Sequence, residues 1–250
     1  MEHTEKSGQN PAILKDNSQR AKLAIGVFWI ICLVSVLAVA SGYMEYELLN
    51  DIRDGELVTE RQANNNAFRQ GFIGILQTGL IVVSGILFLN WFRRLYGNTI
   101  RISRTRFEHK ESMAVWGFFI PFLSLYIPFQ ISKENILKLK SALSETASDY
   151  RSTTSIPMVV LWWALFIISN YFGSFLFQSV LDENETIADM ITTSQLTIIS
   201  DLIDIPAAIA TLIMISKIAK DESALFTSMN QEIRPRYVIS DNFNSVENNR

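Results

Sequence analysis

Two aspartates, Asp201 and Asp204, lie three residues apart inside an otherwise apolar run from about Met190 to Ile215. On a helix that spacing puts both carboxyls on one face. Pro206, two positions further on, leaves the Leu202 carbonyl without its usual donor. An acid at mid-bilayer costs roughly 2.5 to 3.5 kcal/mol on insertion scales, so it faces a bundle interior or water. No Lys or Arg lies inside any comparable run to neutralise the pair. The two acids are therefore expected to be protonated, or to accept bonds from amides and hydroxyls such as Asn170, Ser169, Ser84 or Gln77. Proton or cation binding is the chemistry that Asp201, Asp204 and Asn170 would do. Interhelical packing bonds are the competing use of the same residues.

Other chemistries find little support. There is no Gly-x-Ser-x-Gly elbow, phosphate-cradling glycine loop or metal-binding helix pair. A membrane aspartyl protease would bring its carboxyls together from separate segments, whereas these are neighbours on one helix. Cys32 is the single cysteine and excludes an intramolecular disulfide, and His3 and His109 are too few and too remote to suggest a metal site. The expectation is a protein that is not an enzyme and carries no cofactor and no metal.

The elements that must position these residues are membrane helices. A chain of 250 residues, 48% hydrophobic and 19% charged, would also suit a water-soluble protein, so distribution decides. The runs at about 23–43, 71–91 and 156–181 hold no Asp, Glu, Lys or Arg and are long enough to cross roughly 30 Å of hydrocarbon. The run at 190–215 is long enough but carries Gln195 with the two aspartates. A fifth stretch, 114–131, holds Pro121 and Pro128, each of which removes a backbone donor. If it does not cross, all of the 22 lysines and arginines except Arg53, Arg61 and Arg69 fall on one side, which basic residues mark as the cytoplasm. The predicted fold is therefore all-α and integral to the membrane. It has four transmembrane helices, a Pro-bracketed re-entrant or interfacial segment, and both termini in the cytoplasm.

One membrane domain, 21–220, is expected between a polar N-terminal tail at 1–20 and a polar C-terminal tail at 221–250. The closing tail, rich in Asn and Ser, reads as poorly ordered. Asn64, Asn65 and Asn66 suggest an exposed loop. Ala38-Val39-Ala40 resembles a small-residue cleavage site, but the leading polar region is long and mixed in charge, so the first span is read as uncleaved.

After the second span come Trp91, Arg94 and Asn98, and then Trp116, Phe119, Ile120, Pro121, Pro128 and Gln130. This pair of motifs resembles domain-of-unknown-function family 4328 of bacterial multipass membrane proteins. In that family a Trp-x-x-Arg-x-x-x-Asn stretch follows a span, and a Trp/Phe-rich Ile-Pro element ends in Pro-x-Gln. The likeness covers roughly 23–220. Family members usually carry a polar residue and an Arg between the two prolines, where this chain has Ser124 and Ile127. The resemblance implies a four-helix bacterial inner-membrane protein and imports no mechanism.

Two uses of the Pro-bracketed element remain open. As an interfacial segment it would anchor through Trp116 and Tyr126 among headgroups; as a re-entrant one it would line a cavity with Ser124 or Gln130. The basic residues Arg93, Arg101, Arg104, Arg106 and Lys110 could meet anionic lipid, each near-surface charge contributing on the order of 1 kcal/mol. Arg94 stands apart as close enough to the bilayer to pair with a buried carboxylate. The leading expectation is a non-enzymatic structural or interaction protein of the bacterial cytoplasmic membrane. Its partners would be membrane lipids, with a homo-oligomer or a membrane-protein partner, and no nucleic acid. The alternative is a small proton- or cation-linked transporter or channel-like protein.

Overall fold

The computed structural model describes residues 14–103, 106–147, 149–179 and 186–247, with side chains at 177–179 and 230–247 left aside. Its described elements are helical: α1 (Ser18–Arg53), α2 (Glu60–Ile102), α3 (Met113–Trp116), a 3-10 turn (Leu123–Leu125), α4 (Ile127–Thr146), α5 (Ile156–Ser179) and α6 (Ile187–Glu247). Four of these, α1, α2, α5 and α6, are long and apolar enough to cross a membrane, and they contain the four runs expected from the sequence. The last residues of the 156–181 span lie outside the described residues.

The chain divides into two compact units. The apolar unit comprises residues 20–90 and 155–216. Its α1 buries small residues at helical spacing, Ala21, Ala24, Val34, Ala38 and Gly42 among them, and turns Trp29, Leu33 and Leu37 outward. Large apolar groups outside and small ones inside is the pattern of helices that pack closely in lipid. Gly42 is required here, because a Cβ on it would stand 2.8 Å from Ile198 Cγ1 of α6. Ser194 donates to the Gly42 carbonyl at the same crossing. At the other end of the unit Phe88 of α2 lies between Phe28 of α1 and Trp162 of α5, with ring centroids 6.5 and 5.9 Å away. The Trp162 indole donates to Thr211 of α6 at 3.1 Å.

The polar unit comprises residues 14–19, 91–154 and 217 onward. Its core is the stripe Ile127, Ile131, Ile136, Leu139 and Leu143 of α4 together with Phe92, Leu95 and Tyr96 of α2. Tyr96 donates to Glu134 at 2.9 Å and its ring meets Phe107 edge-on. Burial, with Glu134 second, holds the Tyr96 phenol well above its ordinary range.

Several boundaries differ from those expected. Asn64, Asn65 and Asn66 are helical, within α2, because Thr59 and Gln62 bond each other's backbone N–H groups and start the helix ahead of them. The 1–20 and 221–250 segments are not simply tails. Asn17, Asp221, Glu222 and Leu225 are buried, and α6 runs without a break past 220. The cause is an apolar stripe, Ile215, Ile218 and Leu225, that continues the helical period beyond the last span.

The 114–131 stretch is not one helix. Phe118 packs edge-on against Phe92 at 5.9 Å, and the backbone then turns sharply at Phe122, φ 64° and ψ −41°. The Leu123 N–H donates to the Pro121 carbonyl at 2.8 Å, which closes a γ-turn of the rare positive-φ kind. Such a backbone costs about 1–3 kcal/mol and persists only where the surroundings impose it.

Candidate functional site

Three segments of the polar unit meet at one carboxyl. Glu222, 7% exposed, is carried inward by the α6 stripe described above. Its Oε1 accepts from Asn98 Nδ2 of α2 at 2.7 Å, and its Oε2 accepts from Asn17 Nδ2 at 2.9 Å. Asn17 Nδ2 also donates to the Trp91 carbonyl at 3.3 Å. Asn98 grips the chain at Lys15 from both sides: its Nδ2 donates to the Lys15 carbonyl at 2.7 Å and its Oδ1 accepts the Lys15 N–H at 3.1 Å. The same Oδ1 accepts from Arg101 at 3.2 Å. Asn17 Oδ1 is buried and has no partner among the described residues. A cavity of about 180 Å³ opens beside the cluster, lined by Lys15, Asp16, Asn17, Asn98, Glu222 and Phe226 among others.

Burial pushes the Glu222 carboxyl up to about 7. The Asn98 and Asn17 bonds and the Arg94 charge oppose that rise, and the Asp16 charge adds to it. Residue 222 lies beyond the apolar run at 190–215, so protein rather than hydrocarbon does the desolvating. A carboxyl poised near neutrality, held by two amide donors, can take up and release a proton under ordinary conditions.

Asp221, fully buried beside it, serves a different segment. It accepts from Tyr150 Oη at 2.9 Å, Ser152 Oγ at 2.5 Å and Thr154 Oγ1 at 2.9 Å. These three hydroxyls lie in the connection from α4 to α5, so one carboxylate fixes that connection to α6.

The residues singled out from the sequence fall into separate groups. Asp201 and Asp204 face helices on different sides: Asp201 accepts from Gln77 of α2 at 2.7 Å and Asp204 from Ser169 of α5 at 2.5 Å. Asn170 does not join them. It is one residue, about 100° of helix, away from Ser169, and its amide donates to the Phe166 carbonyl of its own helix. Of the family motif, Trp91 and Asn98 are buried in the Glu222 cluster, and Arg94 is half-buried beside it with no ion pair to Glu222 among the described residues. The expected pairing of Arg94 with a buried carboxylate thus takes the form of a charge acting at longer range.

Trp116 and Pro121 are exposed, Pro128 is buried, and Gln130 is bonded to His109 at 3.1 Å. Among the basic residues, Arg106 and Lys110 are exposed and Arg104 lies outside the described residues. Arg101 is half-buried, with its guanidinium donating to Asn98 Oδ1 at the edge of the cluster. Arg93 forms a surface ion pair with Glu111 at 3.4 Å. Sequence reasoning missed Asn17 and Glu222. The signal for Glu222 was its place in the stripe 215, 218, 222, 225; Asn17 had only a helix-start pattern beside it, in which Asp16 accepts from the Ser18 N–H.

A family model described as Domain of unknown function (DUF4328) matches residues 53–220, well over half of the chain, and the chain belongs to that family. The matched region includes Asn98 and excludes both Asn17 and Glu222. No curated protein and no solved structure matches the chain.

Proposed function

We propose that this multipass member of the family is a non-enzymatic protein of the bacterial cytoplasmic membrane. Both termini are cytoplasmic, and the polar unit meets the inner leaflet through residues 116–126. The observation that carries the reading is the outward set of Trp116, Phe119, Phe122 and Tyr126, with Phe122 87% exposed at the crest of the γ-turn. An exposed aromatic ridge of this size is unfavourable in water, and Trp and Tyr partition to the headgroup layer.

Two features favour lipid as the occupant. The Phe118–Phe92 contact ties the ridge to the residue that follows the end of the second apolar run, where headgroups begin. The His109–Gln130 bond brings the exposed Arg106 and Lys110 segment to the start of α4, directly after the ridge, where positive charge suits anionic headgroups.

The test uses the full chain in nanodiscs, with Cys32→Ser and a nitroxide at Phe122→Cys. Collision with oxygen should exceed collision with a water-soluble nickel reagent, and more so in anionic than in zwitterionic lipid. A label that collides chiefly with the nickel reagent would refute the reading.

The transporter alternative asks Asp201 and Asp204 to share one ion. Their separate bonds to Gln77 and Ser169 instead favour packing between helices.

A further inference from the structure

The Glu222 cluster takes no part in the lipid contact, yet it ties the start of the described chain to two helices. We propose that Glu222, Asn17 and Asn98 form a proton-binding latch that holds residues 14–17 against α2 and α6, tighter when Glu222 is protonated and looser when it is ionised.

The geometry carries the assignment. Two side-chain links join segment 14–17 to one carboxyl, Asn17 directly and Lys15 through Asn98, beside the Asn17 bond to the Trp91 carbonyl. Releasing the segment removes Asn17 from Glu222 Oε2 and opens the neighbouring cavity wall, which hydrates the carboxyl. An ionised Glu222 gains from that hydration, whereas a neutral one does not. A neutral Glu222 has an O–H to donate, and rotating the Asn17 amide presents Oδ1 to it in exchange for the Nδ2 bond to the Trp91 carbonyl.

The charged side chains around the carboxyl come from three elements. Asp16 and Lys15 come from the held segment and Arg94 and Arg101 from α2. On α6 itself Asp221 is engaged by the Tyr150, Ser152 and Thr154 hydroxyls.

The direction follows from linkage. In the held state the carboxyl titrates at about 7, against an ordinary 4.5 when hydrated, so protons favour holding. Between pH 8.5 and 5.5 the held-to-released ratio therefore rises by up to ~30-fold, the full value being reached when release hydrates the carboxyl completely.

The Lys15 amide, bonded to Asn98 Oδ1, reads that ratio directly through hydrogen exchange. Exchange is measured on the full chain in nanodiscs from pH 5.5 to 8.5 and corrected for the intrinsic rate at each pH. Wild type should show protection at Lys15 increasing by up to ~30-fold as the pH falls. Glu222→Gln, neutral throughout, should be protected and flat. Flat protection in wild type, or the same slope in Glu222→Gln, overturns the latch. Should the variant fail to fold, the ¹³C-carboxyl titration of Glu222 in wild type decides. A midpoint that coincides with the exchange curve supports the proposal, and one in the ordinary carboxylate range overturns it.

Discussion

Asp221 offers the most direct measure of what holds the polar unit together. Its carboxylate is fully buried and accepts three hydroxyl bonds from a connection whose described residues form no helix or strand. A hydrogen bond to a charged group contributes about 1.5–3 kcal/mol, but three that share one carboxylate do not add. Tyr150→Phe should therefore cost about 1.5 kcal/mol. Asp221→Ala, which leaves three hydroxyls without their acceptor, should cost about 3–5 kcal/mol. Unfolding of the full chain in mixed micelles, followed by far-ultraviolet circular dichroism, gives both values. The double variant then gives a coupling, expected at about 1–1.5 kcal/mol. The same contact can be read by titration. The Tyr150 phenol is pushed up to about 12, first by burial and then by Asp221. The folded protein thus prefers the neutral phenol, and the stability from this group is complete below pH 10 and lost as the pH rises through about 12. In Asp221→Ala the phenol should titrate closer to its ordinary 10. A coupling below about 0.3 kcal/mol, within the additivity of independent sites, together with an unchanged phenol titration, would refute the clamp.

Three further outcomes follow from packing. A Cβ at Gly117 would meet Ile127 Cγ2 at 2.7 Å, so Gly117→Ala should destabilise by about 1–3 kcal/mol in the same unfolding assay. Asn135 is fully buried with neither side-chain polar atom partnered among the described residues, so Asn135→Leu should raise stability by about 1–2 kcal/mol, and a loss of that size would show that its amide is satisfied. A double-mutant cycle of Gln77→Leu with Asp201→Asn should give about 0.6 kcal/mol, the usual size of an interhelical bond in lipid; ion-linked flux that disappears in Asp201→Asn would instead favour the transporter reading.

Sequence alone determined the membrane architecture, because the requirement that a span be apolar acts on every residue of it. The four runs, the interruption at Pro121 and Pro128, and the family motif were all legible without coordinates. Asp201 and Asp204 were legible as acids within a span for the same reason, since an acid stands out against an apolar background; Asp201 is buried and Asp204 half-buried.

Only the tertiary structure decided their partners, because Ser169 and Asn170 differ by one residue of helical phase and nothing in the local pattern says which of them faces α6. It also decided the Glu222 cluster. Asn17, Asn98 and Glu222 are ordinary polar residues in polar surroundings, Glu222 lying 205 positions from Asn17 and 124 from Asn98. Their significance lies in burial, and burial is a property of how the chain returns on itself.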